Sequence, residues 1–413
     1  MKTISGNIVD VISKTISKGI VLFENGKIID IQPADEVEDQ FIIPGFVDAH
    51  IHIESSMMLP AEFASYSVVH GTVACVCDPH EIANVCGVAG VDYMIENGKQ
   101  SPMKFYFGAP SCVPSTHFET SGAILDAEAV DMLLQRDDIY FLAEMMNFPG
   151  VIRNNKQVHL KLNAAKRLGK PIDGHAPELS GEDLRAYAAG GITTDHECMT
   201  IAEAEAKIAL GMTVQIREGS AAKNFDDLLP LLDKYPDKIM FCSDDKHPHD
   251  LIKNGHINTL ARRAVEKGYD PLQVLRICSY TPIKHYKLDV GLLQINDDAD
   301  FLVVNNLTDF EVKSTYIRGI KVSENGQTTF PRFIPTELMN QFNADKITHS
   351  QLKVIPTGDK LKVILVDNGQ LYTKTTHSKP KIENGNVISD IDNDILKLVV
   401  YNRYQPSEPA IGF

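Results

Sequence analysis

Short apolar segments alternate with longer amphipathic ones through the middle of the chain. This alternation is typical of βα units that build a parallel sheet. Eight such units over about 250 residues match the size of a closed (β/α)8 barrel, which is the predicted fold. A doubly wound open sheet is the alternative, but no strand candidate leads into the G-x-G-x-x-G turn of that fold. The strand candidates are residues 47–53, 72–77, 104–108, 139–144, 171–175, 192–195, 212–217 and 239–244, and helices are predicted at 127–134, 160–168, 181–189 and 201–210.

Shorter β-patterns flank the barrel segment on both sides. We expect residues 1–43 and 290–330 to form one small composite β-sandwich domain around a barrel at residues 44–289. Residues 331–413 are predicted to be a partial α/β region that is incomplete. The supporting signals are strand-like runs at 8–11, 19–23, 27–31, 300–304, 312–317, 361–366 and 396–400, with Asn-Gly turns at 25–26 and 325–326.

Histidine and acidic residues recur where the predicted barrel strands end. The C-terminal ends of barrel strands face the active site in this fold. His50 and His52 are two residues apart on one strand, so both imidazoles project to the same face. Such a pair is common without a metal, but compatible ligands at five strand ends together indicate a divalent metal site. The ligand candidates are His50, His52, Glu144, His175, His196 and Asp244.

The number and type of these ligands indicate two metal ions. Imidazole and carboxylate groups bind zinc, iron or manganese. Six ligands exceed those of one tetrahedral ion, and a central carboxylate can bridge two ions. Two ions would lower the pKa of a water molecule enough to make it a nucleophile at neutral pH. Asp244 is placed beside that water as the general base.

Three polar segments follow predicted strands and border the same rim. They are residues 78–81, 217–220 and 245–249. Loops after barrel strands carry substrate specificity, but a polar segment can equally be a solvated surface turn. Both interpretations stay open from the sequence alone.

The acidic composition narrows the range of partners. The chain has 40 Lys and Arg against 55 Asp and Glu, a formal net charge of −15. Such a surface repels phosphate, which excludes nucleic acid and anionic membranes as partners and leaves a small substrate. No apolar run has the length of a membrane span or the position of a signal peptide. Seven cysteines without a C-x-x-C pair indicate reduced thiols in the cytoplasm and exclude a zinc deaminase of the cytidine type.

Several long motifs resemble those of one family. The segment PGFVDAHIH at 44–52 is similar to the signature of the amidohydrolase superfamily, in which the two histidines bind metal. The motifs that follow resemble those of the adenine deaminases within that superfamily. They are IESSMM (53–58), CDPHEIANV (77–85), AEMMN (143–147), GHAP (174–177), TDHEC (194–198), IREGSAAKN (216–224) and SDDKHP (243–248).

The resemblance implies hydrolytic deamination of adenine to hypoxanthine and ammonia by a metal-activated hydroxide, as in purine salvage. It implies two divalent metal ions, with manganese or iron favoured and zinc as an alternative. A glutamate at the bridging position differs from the carboxylated lysine of dihydroorotases and hydantoinases. The implied ligands are His50 and His52 for one ion, His175 and His196 for the other, Glu144 for the bridge, and Asp244 for metal binding and base catalysis.

The proton donor and the substrate contacts are less defined. A second group must protonate a ring nitrogen of the purine, and the candidates are Glu218, Glu81 and His247. The candidates for contacts with adenine are Asn147, Ser220 and His80. The chain is expected to form a homo-oligomer.

Two alternative functions remain. A different amidohydrolase, such as a cyclic-amide hydrolase or an N-acetyl sugar deacetylase, would use the same metal site with different loops. An inactive metal-binding remnant is the second alternative, because the family continues past a segment like Asn402-Arg403-Tyr404 into a further domain. Lost ligands would mark such a remnant, and all six are present.

Overall fold

The N-terminal strands form antiparallel hairpins. They are β1 (Lys2–Asp10), β2 (Thr15–Glu24), β3 (Lys27–Pro33) and β4 (Phe41–Pro44). In the computed structural model, which describes residues 1–367 and 373–413, β1 pairs antiparallel with β2 and parallel with β4. The turn from β2 to β3 is made by Asn25 and Gly26, which both have positive φ angles, 50° and 83°. This is the turn that the Asn-Gly sequence predicts.

Between residues 46 and 242, eight parallel strands are buried along almost their whole length, as strands covered on both faces are. They are β5 (Phe46–Ile51), β6 (Thr72–Cys77), β7 (Lys104–Ala109), β8 (Ile139–Met145), β9 (Ile172–Gly174), β10 (Thr194–Asp195), β11 (Thr213–Arg217) and β12 (Ile239–Cys242). The helices are α1 (Pro60–Ser67), α2 (His80–Gly98), α3 (Ala127–Leu134), α4 (Phe148–Ile152), α5 (Lys156–Arg167), α6 (Gly181–Ala189), α7 (Ile201–Ala209), α8 (Phe225–Leu228), α9 (Pro248–Asn254), α10 (Ile257–Glu266), α11 (Pro271–Leu275) and α12 (Thr281–Tyr286). None of the helices in the described residues is long and apolar enough to cross a membrane.

The barrel closes through backbone hydrogen bonds at two seams. β5 to β9 form one paired sheet, and β10 to β12 form another. The Asp244 amide donates to the His50 carbonyl over 2.9 Å, which joins the end of β12 to β5. The Thr193 amide donates to the Ile172 carbonyl over 2.8 Å, which joins β10 to β9. The predicted (β/α)8 barrel is therefore confirmed.

Several strands are shorter than predicted, and they end where the ligand candidates follow. The predicted strand 47–53 ends at Ile51, and a 3-10 helix begins at Ile53. The predicted strand 239–244 ends at Cys242, and Asp244 has a φ angle of 54°. The side chains at these points contact each other across the barrel mouth, so the backbone leaves the regular ladder. The apolar pattern predicts the strands but not these bends.

Strands from both flanks form one eight-stranded sheet within residues 2–328, completed by β13 (Phe301–Val304), β14 (Val312–Ile317), β15 (Ile320–Glu324) and β16 (Gln327–Thr328). The order is β16-β15-β14-β13-β4-β1-β2-β3. Two strands separate β2 from β13, about 14 Å in a flat sheet. The ring centroids of Phe23 on β2 and Phe301 on β13 are nevertheless 5.3 Å apart. The sheet therefore folds over its own core as a sandwich, while the predicted domain boundaries stay a prediction.

A buried lysine joins this sheet to the barrel. Lys104, the first residue of β7, places its Nζ 2.6 Å from Asp298 Oδ2 and 2.7 Å from Asp300 Oδ2. The same Nζ donates to the Asp289 carbonyl. The Lys104 side chain is 5% exposed and those of the two aspartates 7% and 0%. The contact therefore fixes the start of a barrel strand against the segment that leads into β13.

The last region is β17 (Leu361–Val366), β18 (Thr373–Ser378), β19 (Ile382–Glu383), β20 (Asn386–Val387), β21 (Leu398–Val400) and β22 (Ala410–Gly412). The strand predicted at 361–366 is present, and the one predicted at 396–400 begins at Leu398. Where α/β structure was expected, residues 331–367 and 373–413 contain strands and 3-10 turns. The region meets the barrel at α2, where Tyr93 Oη donates to the Glu337 carbonyl over 2.9 Å and Tyr404 Oη to the Asn84 carbonyl over 3.4 Å.

Candidate metal centre and catalytic face

Two histidines at the end of β5 point to one position. His50 and His52 are 0% and 3% exposed, and their Nε2 atoms are 3.1 Å apart. Burial, together with the neighbouring His196 and His52, lowers the pKa of His50 well below its ordinary value. The neutral imidazole that results is the form that binds a metal ion.

The carboxylate of Glu144 lies between two groups of histidines. Its Oε2 is 2.6 Å from His175 Nδ1 and 3.2 Å from His196 Nε2. Its Oε1 is 3.5 Å from His52 Nε2. Burial raises the pKa of the Glu144 carboxyl, but His175 and His196 outweigh burial and hold that pKa well below its ordinary value. An ionised carboxylate with one oxygen toward each histidine group has the arrangement of a bridging ligand.

Asp244 completes the cluster just after β12. Its Oδ1 is 3.3 Å from His52 Nε2 and 3.8 Å from His50 Nε2, and its Oδ2 is 2.6 Å from Arg217 Nη1. Its positive φ of 54° is uncommon for a residue other than glycine and costs on the order of 1–3 kcal/mol, as at many functional sites. The hydrogen bond from its amide to the His50 carbonyl holds the backbone in this conformation.

These donors fit divalent metal ions. Ligand atoms of His50, His196 and Asp244 lie within 4.8 Å of one another, and so do those of Glu144, His175 and His196. The buried Nδ1 atoms of His50 and His196 have no hydrogen-bond partner among the described residues. A buried polar atom without a partner costs about 1–3 kcal/mol, so a ligand is expected beside these rings. Glu144 also belongs to a donor group with His52, Asp78 and His80, and two adjoining groups that share one carboxylate fit two ions better than one.

Comparison with known proteins places the chain in a family. Residues 41–322 match the model of the amidohydrolase family. The chain belongs to the amidohydrolase family. It is 50% identical over 426 residues to the adenine deaminase of Methanosarcina mazei, covering 100% of this chain and 76% of that relative. It is 49% identical over 412 residues to the adenine deaminase of Salinibacter ruber, covering 100% of this chain and 75% of that relative.

Solved structures share the amidohydrolase fold at low identity. A beta-aspartyl dipeptidase from Fervidobacterium islandicum has a TM-score of 0.60 and 15% identity, covering 81% of this chain and 100% of that chain. An N-isopropylammelide isopropylaminohydrolase from Burkholderia multivorans has a TM-score of 0.56 and 16% identity, covering 80% of this chain and 100% of that chain. An N-acetylglucosamine-6-phosphate deacetylase from Pasteurella multocida has a TM-score of 0.58 and 15% identity, covering 78% of this chain and 100% of that chain. At this identity the likeness concerns the fold alone.

In this amidohydrolase the loop after β6 brings Glu81 to the edge of the cluster. Glu81 lies in the first turn of α2, with its Oε2 3.5 Å from His52 Nδ1 and its Oε1 3.1 Å from His80 Nε2. His80 Nδ1 is 3.0 Å from Asp78 Oδ2. Burial lowers the pKa of His80, but Asp78 and Glu81 raise it well above its ordinary value. The Glu81 side chain is 36% exposed and that of His80 13%, so Glu81 is the member of the pair that lies toward the open side of the site.

The loop after β11 uses its candidate side chains for local structure. Glu218 Oε1 is 2.9 Å from Arg263 Nη1, an ion pair with α10. Ser220 Oγ donates to Asp250 Oδ2 over 2.5 Å and accepts from the His247 amide over 2.8 Å. The His247 side chain is exposed. The described contacts of these three candidates therefore shape the rim and do not join them to the histidine cluster.

Asn147 is the N-cap of α4, three residues after Glu144. Its Oδ1 accepts from the Gly150 amide over 2.9 Å and caps the helix. Its Nδ2 has no hydrogen-bond partner within residues 1–367 and 373–413. One face of this side chain is therefore structural, and the other is left for a ligand.

Sequence reasoning gave no individual role to four charged residues that border the candidate ligands, although three of them lie in the polar segments noted at the rim; the four are Asp78, Asp245, Glu197 and Arg217. Asp78 and Asp245 each belong to a group of potential metal donors that includes His52. Glu197 Oε1 is 3.4 Å from His196 Nε2. Three of the four directly follow a predicted strand or ligand, which is the signal that was available. A polar residue at a strand end does not reveal from sequence whether it turns inward, so the signal was not decisive.

Buried hydrogen bonds behind the ligands fix the strand ends. Asp48 on β5 has its Oδ2 2.8 Å from His256 Nε2, and its Oδ1 accepts from the Ser243 amide over 3.0 Å. His256 Nδ1 is 2.6 Å from Thr72 Oγ1 at the start of β6. These contacts join β5, β6 and the segment before Asp244, so they maintain the spacing of the donors.

Proposed function

We propose that this amidohydrolase deaminates adenine to hypoxanthine and ammonia by adding water at the purine carbon that bears the amine. Adenine deaminases that are 44–50% identical to this chain over 98–100% of its length support the substrate. The observation that carries the proposal is the placement of Glu144 between two histidine groups in such a chain. Recovery of a purine base in this way is a salvage reaction.

The proposed metal centre holds two divalent ions, with Mn²⁺ or Fe²⁺ favoured and Zn²⁺ as an alternative. Its chemical contribution is a water molecule whose pKa is low enough for nucleophilic attack at neutral pH. The ionised Glu144 carboxylate balances part of the positive charge from inside the cluster. The proposed ligands are His50, His52, Glu144, His175, His196 and Asp244.

Asp244 is the proposed base. Its Oδ1 faces His50 and His52, whereas its Oδ2 is occupied by Arg217. Oδ1 is therefore the oxygen that would face both the metal position and the attacking water, take the proton of that water and return it to the departing amine. A single available oxygen, held in one orientation, limits the proton transfer to one path.

Glu81 is the proposed donor to the purine ring nitrogen. The raised pKa of His80 and the lowered pKa of the Glu81 carboxyl leave the proton of this pair on His80 at neutral pH, so Glu81 would relay that proton to the ring nitrogen. Glu81 is the more exposed member of the pair, 36% against 13% for His80, so it is the one placed to pass the proton to a substrate. Glu218 is held by Arg263 and His247 is exposed, so neither has the same support.

Asn147 is the proposed contact to the purine. Its free Nδ2 donates, and the helix cap at its Oδ1 fixes the orientation of that donor. A donor held in one orientation distinguishes ring acceptors by their position. His80 acts through Glu81, and Ser220 shapes the loop through Asp250.

A cytoplasmic location and a homo-oligomeric state are the remaining parts of the proposal. All seven cysteines are free thiols, as expected in a reducing compartment. Ile334, Leu338 and Phe342 are exposed apolar side chains along one segment, which supports contact with a second copy.

A substrate panel tests the proposed reaction. Protein purified without metal, then loaded with Mn²⁺, is assayed for conversion of adenine to hypoxanthine, for hydrolysis of a cyclic amide, and for deacetylation of N-acetylglucosamine-6-phosphate. Glu144→Gln removes the charge of the central carboxylate and is expected to abolish turnover. Glu182→Gln changes an exposed glutamate on α6 and serves as the matched control.

The outcomes separate the alternatives. Adenine turnover that depends on manganese and is lost only in Glu144→Gln supports the proposal. Turnover of the amide or the sugar without adenine turnover assigns a different amidohydrolase activity. Bound manganese without turnover of any of the three substrates assigns an inactive metal-binding protein.

A further inference from the structure

A buried arginine connects two carboxylates at the edge of the metal cluster. Arg217, the last residue of β11, is 3% exposed. Its Nη1 donates to Glu197 Oε1 over 2.5 Å and its Nη2 to Glu197 Oε2 over 2.9 Å. The same Nη1 donates to Asp244 Oδ2 over 2.6 Å. We refer to Arg217, Glu197 and Asp244 as the carboxylate clamp.

The backbone around the clamp is itself fixed. Asn224, 1% exposed, accepts from the Arg217 amide through Oδ1 over 2.8 Å. Its Nδ2 donates to the carbonyls of His196 and Cys198 over 3.0 and 2.9 Å. One side chain therefore ties the end of β11 to the segment that carries Glu197. The backbone that carries the guanidinium is therefore held by hydrogen bonds on the side facing Glu197.

The clamp divides the two oxygens of Asp244 between different partners. Oδ2 is used by Arg217, and Oδ1 is left toward His50 and His52. A planar guanidinium that binds one carboxylate with two parallel hydrogen bonds fixes its own plane, which then fixes a second carboxylate beside it. A lysine at this position has one ammonium group and cannot set two orientations at once.

We propose that Arg217 is a positioning residue for the reaction, which orients the Asp244 carboxylate so that a single oxygen serves as the base. Glu197 holds the guanidinium in place from the other side. This inference rests on the proposed function, because it assigns Arg217 a role in the same proton transfer. It goes beyond the proposed metal ligands and substrate contacts, because Arg217 is in neither set and its guanidinium contacts Glu197 and Asp244.

Variants at the clamp test the inference by separating kcat from KM. Arg217→Met is expected to lower kcat for adenine by about 10²-fold, while KM changes by less than about threefold. Two manganese ions per chain should remain bound. Arg217→Lys should recover part of the kcat. Glu197→Gln should also lower kcat, and the double variant should be no worse than Arg217→Met, because residues that act as one unit are not additive.

Arg276→Met is the matched control. Arg276 is also buried, 7% exposed, with its Nη2 2.7 Å from Asp237 Oδ1, and like Arg217 it has an unpaired buried Nε among the described residues. Its Nη1 donates to the carbonyl of Val11 over 2.7 Å, and its described hydrogen bonds and ion pairs include none of the candidate ligands. This control is expected to lose thermal stability and to keep kcat and KM.

A spectroscopic measurement distinguishes failure of this inference from failure of the proposed function. If loaded wild-type protein does not turn over adenine, the proposed function is wrong, and the clamp is tested by the electron paramagnetic resonance spectrum of bound Mn²⁺. A changed spectrum in Arg217→Met and not in Arg276→Met supports the clamp. An unchanged spectrum, an unchanged kcat, or a raised KM with kcat preserved overturns it. A fall in both bound manganese and kcat in Arg217→Met also overturns it. Arg217 would then be needed for metal binding rather than for the orientation of the base.

Discussion

Replacing Lys104 with methionine removes the cation that joins the flanking sheet to the barrel. The change keeps the length of the side chain and leaves two buried aspartates with fewer partners. Asp300, 0% exposed, keeps hydrogen bonds from the amides of Gly291 and Arg318, 3.1 and 2.8 Å long. Asp298 keeps Lys27 at 2.7 Å. Breaking a buried ion pair costs about 3–5 kcal/mol, and these remaining contacts place the expected loss at about 3 kcal/mol.

That free energy corresponds to a measurable shift of the melting temperature. The entropy of unfolding is about 2.1 cal/mol/K per residue, or about 0.87 kcal/mol/K for a cooperative unit of 413 residues. A loss of about 3 kcal/mol then lowers Tm by about 3.5 °C. Differential scanning calorimetry at one fixed manganese concentration measures the shift, because bound metal stabilises the folded state of both proteins.

Lys99→Met is the control for a general effect of removing a lysine near the same strand. Lys99 pairs with Glu96 on the surface, with side chains 52% and 66% exposed. Exposed pairs contribute about 0–1 kcal/mol, so Tm should fall by at most about 1 °C. If Lys104→Met lowers Tm by no more than Lys99→Met does, the role assigned to the buried contact of Lys104 with Asp298 and Asp300 is refuted.

Three further predictions concern the site and its scaffold. Glu81→Gln should lower kcat by about 10²–10⁴-fold, whereas the kcat of Glu218→Gln should stay close to that of wild type. Equal losses of kcat in the two variants would contradict the choice of Glu81 as the donor. Gly45→Ala should destabilise the fold by about 1–3 kcal/mol in chemical denaturation, because a Cβ there would lie 2.4 Å from Val73 Cγ2; wild-type stability would count against this packing. A chelator should lower Tm reversibly in wild type but not in Glu144→Gln, as thermal melts with and without Mn²⁺ would reveal.

The barrel could be predicted from the sequence because its signal is repeated eight times. Each strand is a short apolar run, and the run at 72–77 was predicted with its observed bounds. Helices at 127–134 and 181–189 were also predicted with their observed bounds, whereas α5 begins at Lys156, four residues before its predicted start. The missed turn is polar and depends on capping by Asn155, which the apolar pattern does not contain.

The cluster of candidate metal ligands was predictable for a related reason. The barrel brings the ends of its strands together, so ligands far apart in sequence, such as His50 and Glu144, were expected at one rim. The direction of a polar loop residue was not predictable in the same way. Glu218 and Glu81 follow strands equally well, yet one pairs with Arg263 on a helix and the other with His80 at the cluster. The clamp arginine, Arg217, was part of a noted segment, but only the fold shows that it turns inward.

Ammonia release from adenine during a metal titration tests the central claim most directly. Metal-free protein is titrated with Mn²⁺, and initial rates are measured at saturating adenine beside a His50→Ala variant. The account predicts no activity without metal and a rise to a plateau at about two ions per chain, with activity lost in the variant. An absence of ammonia at saturating manganese, or equal rates with and without metal, would contradict it.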